Sequence, residues 1–209
     1  MTATDVQKIL HLRHAWKFVM DKDVVSSPTD YSILCHIAQL VNEGFHAYGG
    51  RIRGVPVTIG GTSYVPPLPI EQLEDILQIK AEPIDVAIQL CLYRMKTQIF
   101  NDGSNRASVI FASHYLIAKG GGLLVIPESH VPEFKRLLVS DYVGRDDGSI
   151  STFMRENAGK LSKVIGDFFR KICANNSLYS VLHLLCQRRE FASLCLDEGG
   201  CFCYDKCTY

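Results

Sequence analysis

The chain has 209 residues, 47% hydrophobic and 21% charged, an ordinary globular composition that can bury a sizeable core. Lysine plus arginine equals aspartate plus glutamate at 22 each, so no net field draws the protein toward nucleic acid or an acidic membrane. The first residues lack a basic-then-apolar leader, and no apolar run reaches the roughly 18 residues of a membrane span, so a soluble cytoplasmic protein is expected.

In chain order, Thr4 is placed to cap a first helix carrying Val6, Ile9, Leu10, Trp16 and Val19. Ser27-Pro28 reads as the next helix start, with Tyr31, Leu34, Ile37, Ala38 and Val41 on one face and Gly44 as the stop. Residues 45–67 break the helical period. Val55–Ile59, Gly60-Gly61 and Thr62–Val65 have the pattern of a hairpin with a glycine turn, and Pro56 confines it to an exposed ribbon.

Helical spacing resumes over 70–79, 84–97 and 105–118, where Gly120-Gly121-Gly122 ends it. Leu123–Pro127 is a short extended piece, and helices are expected over 129–139, 149–173 and 177–195. The expectation is an all-α body with one small β-hairpin.

The cysteines are unevenly placed. Cys35 and Cys91 lie inside apolar helical patterns, as small buried hydrophobes do. The other six follow residue 170, and Cys195, Cys201, Cys203 and Cys207 lack the paired two-residue spacing of a zinc ribbon. A tail metal site and a loosely packed tail both remain open. Leu161, Val164, Ile165, Phe168 and Phe169 form an amphipathic stripe, for packing on the body or for a homo-oligomer surface. Arg188-Arg189 is too small a cluster to imply nucleic-acid binding.

The densest chemistry lies at Gln98-Ile99-Phe100-Asn101-Asp102-Gly103-Ser104-Asn105-Arg106. Asp102-Gly103 is a tight-turn pair, and glycine lets backbone amides approach a ligand. The amides of Ser104, Asn105 and Arg106 open a helix whose dipole favours an anion. Arg106 offers a fork for phosphate oxygens, and Asp102 suits Mg²⁺, which takes one or two carboxylates beside substrate phosphates. The same residues also make a good helix cap with a surface arginine. His114 is too far along the following helix, about 12 Å at 1.5 Å per residue, to serve this loop as a base.

This loop resembles the signature of the Fic (Fic/Doc) family, His-Pro-Phe-x-(Asp or Glu)-Gly-Asn-Gly-Arg. Phe100, Asp102, Gly103 and Arg106 match four of its eight specified positions. Gly49–Arg53 with Ile59–Pro67 is similar to the family's flap hairpin and its approach, and Gly120–Leu138 to the run after the motif. The resemblance is clearest over 30–157, which implies a Fic-like domain over 1–157 and a helical, cysteine-rich extension over 158–209.

What the resemblance implies is an ATP-binding loop and AMP transfer to a hydroxyl of a target protein. By position, Asp102 is the Mg²⁺ ligand, Arg106 the phosphate clamp with Gly103, Ser104 and Asn105, and Phe100 the loop anchor. Val57, Thr58 and Ile59 are the flap edge on which an extended target segment docks.

The family's base is replaced by Gln98, whose amide has no titratable group near neutral pH. Ser104 and Asn105 also replace the motif's asparagine and glycine. Thr152–Asn157 fits the family's inhibitory helix, with Glu156 as its glutamate, but Val109 stands where its arginine partner is expected. Two readings follow. One is a slow or altered nucleotidyl or phosphoryl transferase, and the other an inactive nucleotide- or peptide-binding protein.

Overall fold

A computed structural model describes residues 2–59, 62–68 and 73–158, and all regular structure among them is helical. The helices are α1 (Ala3–Val19), α2 (Lys22–Val25), α3 (Tyr31–Val41), α4 (Leu73–Leu77), α5 (Pro83–Thr97), α6 (Ser104–Ala118), α7 (Val131–Tyr142) and α8 (Ser149–Asn157), with a 3₁₀ turn at Glu128–His130. The expected extension over 158–209, its helices and its six cysteines lie outside the described residues, save for Ala158.

The central element is α6. Twelve of its residues, Ser104, Arg106 and all those from Ala107 through Leu116, are buried, because it is apolar or small around its whole circumference. It packs against α5, α3, α1 and α2, while α8 braces α5 and α7. Phe111 is fully buried, and its truncation to alanine costs about 3–5 kcal/mol. Beyond α6, Gly120 (φ 70°) and Gly121 close a Schellman motif, their amides donating to Ile117 and Leu116 carbonyls at 2.9 and 2.7 Å. Leu123–Ile126 then runs buried beside α6, held where the Leu124 amide donates to Ser113 Oγ at 3.1 Å.

Several expectations need correction. Thr2, not Thr4, caps α1: its hydroxyl accepts from the Asp5 amide, and the Asp5 carboxylate accepts from the Thr2 amide at 2.7 Å. Val6 and Leu10 face solvent, and the core side is Leu12, Ala15, Trp16 and Val19. α3 begins at Tyr31 rather than at Ser27-Pro28. Asp30, in extended backbone, accepts from the Ile33 amide at 3.0 Å, while Ser26 and Ser27 hydroxyls close the end of α2. The expected face of α3 is as read, with Leu34, Ile37, Ala38 and Val41 buried.

The hairpin does not form a ladder in the described residues. Residues 54–59 and 62–68 run as an irregular strap, and the glycine turn lies outside the described residues. Pro56, Pro66 and Pro67 have no amide to donate, which removes ladder bonds from both legs. The strap is fixed instead by Ile59 in the core, by Tyr64 stacked on Tyr142 at 5.9 Å, and by a buried arginine described below.

Candidate functional site

The loop 98–103 joins α5 to α6, and both of its ends are left-handed. Gln98 has φ 44° and ψ 63°, the one positive-φ residue other than glycine among the described residues, and Gly103 has φ 70°. Between them Ile99 and Phe100 are buried, which ties the middle of the loop into the core. Ser104 clasps this anchor: its Oγ accepts from the Phe100 amide and donates to the Phe100 carbonyl, both at 3.1 Å. Its hydroxyl is therefore spent on the loop.

Gly103 leaves α6 without any side-chain cap. The opening amides of a helix buried along most of its length thus meet the loop with their donors unspent on side chains. Gly103 is required here twice over. Its φ is left-handed, and a Cβ would stand 2.7 and 2.8 Å from Oδ1 and Nδ2 of Asn42.

Asn42, at the C-cap of α3, is fully buried. Its Nδ2 donates to the Asp102 carbonyl at 2.9 Å, and its Oδ1 accepts from Arg106 at 3.4 Å. Arg106 is also buried, donating to the Val41 carbonyl and, at 3.2 Å, to Asp102 Oδ2. The Asp102 side chain is 34% exposed, and His46 Nε2 lies 3.5 Å from the same oxygen, with its own side chain half exposed. Asp102, Gly103 and Arg106 are thus brought together. The arginine works from beneath the loop, and the carboxylate keeps a solvent-facing side.

Gln98 is buried and committed. Its Nε2 donates to the Met95 carbonyl at 2.7 Å and to Asn105 Oδ1 at 3.0 Å, so Gln98 and Asn105 close on each other. Neither residue brings a titratable group to this position.

The remaining expected residues are more scattered. Val57 is half-buried, Thr58 exposed and Ile59 buried, so the strap presents one side chain of that trio fully to solvent. Glu156 is exposed on α8, in an open groove of about 430 Å³ shared with Glu133, Arg136 and Phe153. No residue of 98–106 lines that groove. His114 is fully buried, with Nδ1 3.1 Å from Thr29 Oγ1 and Nε2 2.9 Å from the Val24 carbonyl, so it is a structural histidine.

Sequence reasoning missed Asn42 and His46, and it used Arg53 only as part of the flap's approach. A polar residue ending the apolar face of α3, just before Gly44, was the one signal for Asn42. Among the described residues, no group of three or more His, Cys, Asp or Glu side chains is placed to hold a metal. No described helix is long and apolar enough to cross a membrane.

No family model matches the chain, and no curated protein matches it. Among solved structures it is similar to C. elegans Fic-1 (aa134–508), with a TM-score of 0.60 and 18% identity over 85% of this chain. The match covers 54% of that structure's chain, so this polypeptide spans about half its length. That likeness, at that identity, is one of fold: the helical body is Fic-like, with the 98–103 loop between α5 and α6.

Proposed function

We propose that this chain binds an ATP–Mg²⁺ complex at the start of α6 and slowly transfers its adenylyl or phosphoryl group to a target hydroxyl presented along the strap, with pyrophosphate or ADP leaving and the hydroxyl proton passing to water. The observation that carries this reading is the uncapped N-terminus of α6 beside the Asp102–Arg106 pair. The residues present fit the group. Asp102 supplies one partly exposed carboxylate for the metal, and the amides opening α6 suit phosphate oxygens. Bound Mg²⁺ would neutralise phosphate charge during transfer.

The chain's own residues divide the work. Arg106, paired with Asp102 from beneath, holds the carboxylate in place and adds positive potential under the loop. Gly103 keeps the approach free of a side chain, and Phe100 with Ser104 fixes the loop's depth. The strap is the edge along which an extended target segment would lie, with Thr58 exposed on it. Nothing at residue 98 can take the hydroxyl proton, and general-base catalysis is typically worth about 10²–10⁴-fold, so turnover is slow.

A second reading, a non-catalytic binder of nucleotide or peptide, is favoured by one observation. Both hydrogens of the Gln98 amide are already engaged, leaving little to orient a hydroxyl. Incubation with labelled ATP, Mg²⁺ and candidate protein targets, comparing wild type with Gln98→His, separates the two. Label on targets with the wild-type protein supports slow transfer. Label only with the histidine variant supports the non-catalytic reading.

A further inference from the structure

We infer that Arg53 is a positioning residue, whose guanidinium holds both legs of the strap and the left-handed kink at Gln98 in one register. Its functional side rests on the reading above, because the strap is there the docking edge and residue 98 the position facing the target.

Arg53 is buried, and every acceptor it meets is a backbone carbonyl. Nε donates to the Gln98 carbonyl at 2.6 Å, and Nη1 to Val55 at 2.8 Å. Nη2 divides its hydrogens among Thr97 at 3.0 Å, Pro66 at 3.3 Å and Pro67. The backbone amide of Arg53 adds a bond to the Ile99 carbonyl at 2.9 Å. One residue therefore joins the end of α5, the left-handed Gln98, the residue after it, and the strap at both 55 and 66–67.

A ladder cannot do this job. Pro66 and Pro67 carry carbonyls but no amides, so at those two positions the leg can only accept, and a planar fork of five donors supplies what a neighbouring strand would. The other ties, Ile59 in the core and Tyr64 on Tyr142, lie in the middle of the strap. Burial draws the Arg53 guanidinium below its ordinary value, with Tyr64 opposing the shift. A left-handed residue other than glycine persists where its surroundings over-determine it. At Gln98 the surroundings that do so are the two Arg53 bonds flanking it, to Gln98 and Ile99, together with the Gln98 amide's own contacts.

Two measurements test this on the full chain. The first is amide exchange in Arg53→Lys, a variant that keeps the charge but has a compact ammonium unable to span these carbonyls. Exchange of the Thr62–Val65 and Leu68 amides should quicken about tenfold while α6 amides keep their protection. The second is a cycle of Arg53→Ala, Gln98→Gly and the double variant. Glycine adopts the kink readily, so Arg53→Ala should lower the melting temperature less in the Gln98→Gly background than in wild type.

Unchanged strap exchange, protection lost evenly through α6, or additive losses in the cycle would each overturn the assignment. Titration of the same samples with ATP–Mg²⁺ keeps the two questions apart. If wild type binds no nucleotide, the proposed function fails, while exchange and the cycle still decide the role of Arg53.

Discussion

Gly103→Ala probes the loop at its tightest point. The substitution places a left-handed alanine at φ 70°, which costs about 1–2 kcal/mol for an L-residue. Its Cβ would stand 2.7 Å from Asn42 Oδ1, so that fully buried side chain must move and give up its 2.9 Å bond to the Asp102 carbonyl. A buried hydrogen bond lost in this way costs about 1–2 kcal/mol. The two terms together come to roughly 2–4 kcal/mol, or a melting temperature lower by roughly 4–16 °C at the usual scaling for a domain of this size.

Equilibrium urea unfolding followed by helical ellipticity measures it, with Asn42→Ala as background control. In that background the collision is gone, so Gly103→Ala should cost only the backbone share, about 1–2 kcal/mol. A Gly103→Ala protein within about 0.5 kcal/mol of wild type would refute the reasoning, as would an equal loss in both backgrounds.

Two further outcomes are expected. His114→Leu strands the Thr29 hydroxyl and the Val24 carbonyl and should destabilise by about 1–3 kcal/mol, yet leave ATP–Mg²⁺ affinity unchanged in protein that remains folded. A loss of nucleotide affinity in that variant would reopen a role for His114 at the site. His11 is held below the ordinary imidazole value by burial, against the opposing charge of Glu43. The unfolded chain therefore takes up this proton first as pH falls below about 6.5, and stability present above that pH is lost on acidification. His11→Gln should lose less stability than wild type between pH 7.5 and 5 in urea titrations, and equal losses would contradict this assignment.

The parts of this fold that were legible in the sequence are those whose information is local. The face of α3 repeats at helical spacing, and Asp102-Gly103 announces a turn by residue type. The packed neighbours of α6 follow from a run with no polar side. Asn42 and Arg53 were not legible as parts of the site, because each meets the 98–106 loop from 45 or more residues away in sequence and largely through backbone carbonyls. A carbonyl is the same in every residue, so its acceptor role leaves no trace in residue type. The hairpin expectation failed for a related reason. Alternation and a glycine turn suggested two strands, but the prolines that bound the ribbon also remove the donors a ladder needs.

Fic-like fold and loop geometry were legible together through Phe100, Asp102, Gly103 and Arg106. The internal pairing of that loop was not. The sequence presents Asp102 and Arg106 as separate ligands for metal and phosphate, whereas in space they share one ion pair at 3.2 Å with Asn42 beneath them. A nucleotide bound as proposed would meet a carboxylate already partnered by arginine.

Calorimetric titration with ATP in the presence and absence of Mg²⁺, on wild type and on Asp102→Asn, tests the central claim most directly. The account predicts saturable binding that requires Mg²⁺ and weakens about tenfold or more in the variant, with ellipticity unchanged. Absence of binding by the wild-type protein, or binding indifferent to both Mg²⁺ and Asp102, would contradict it.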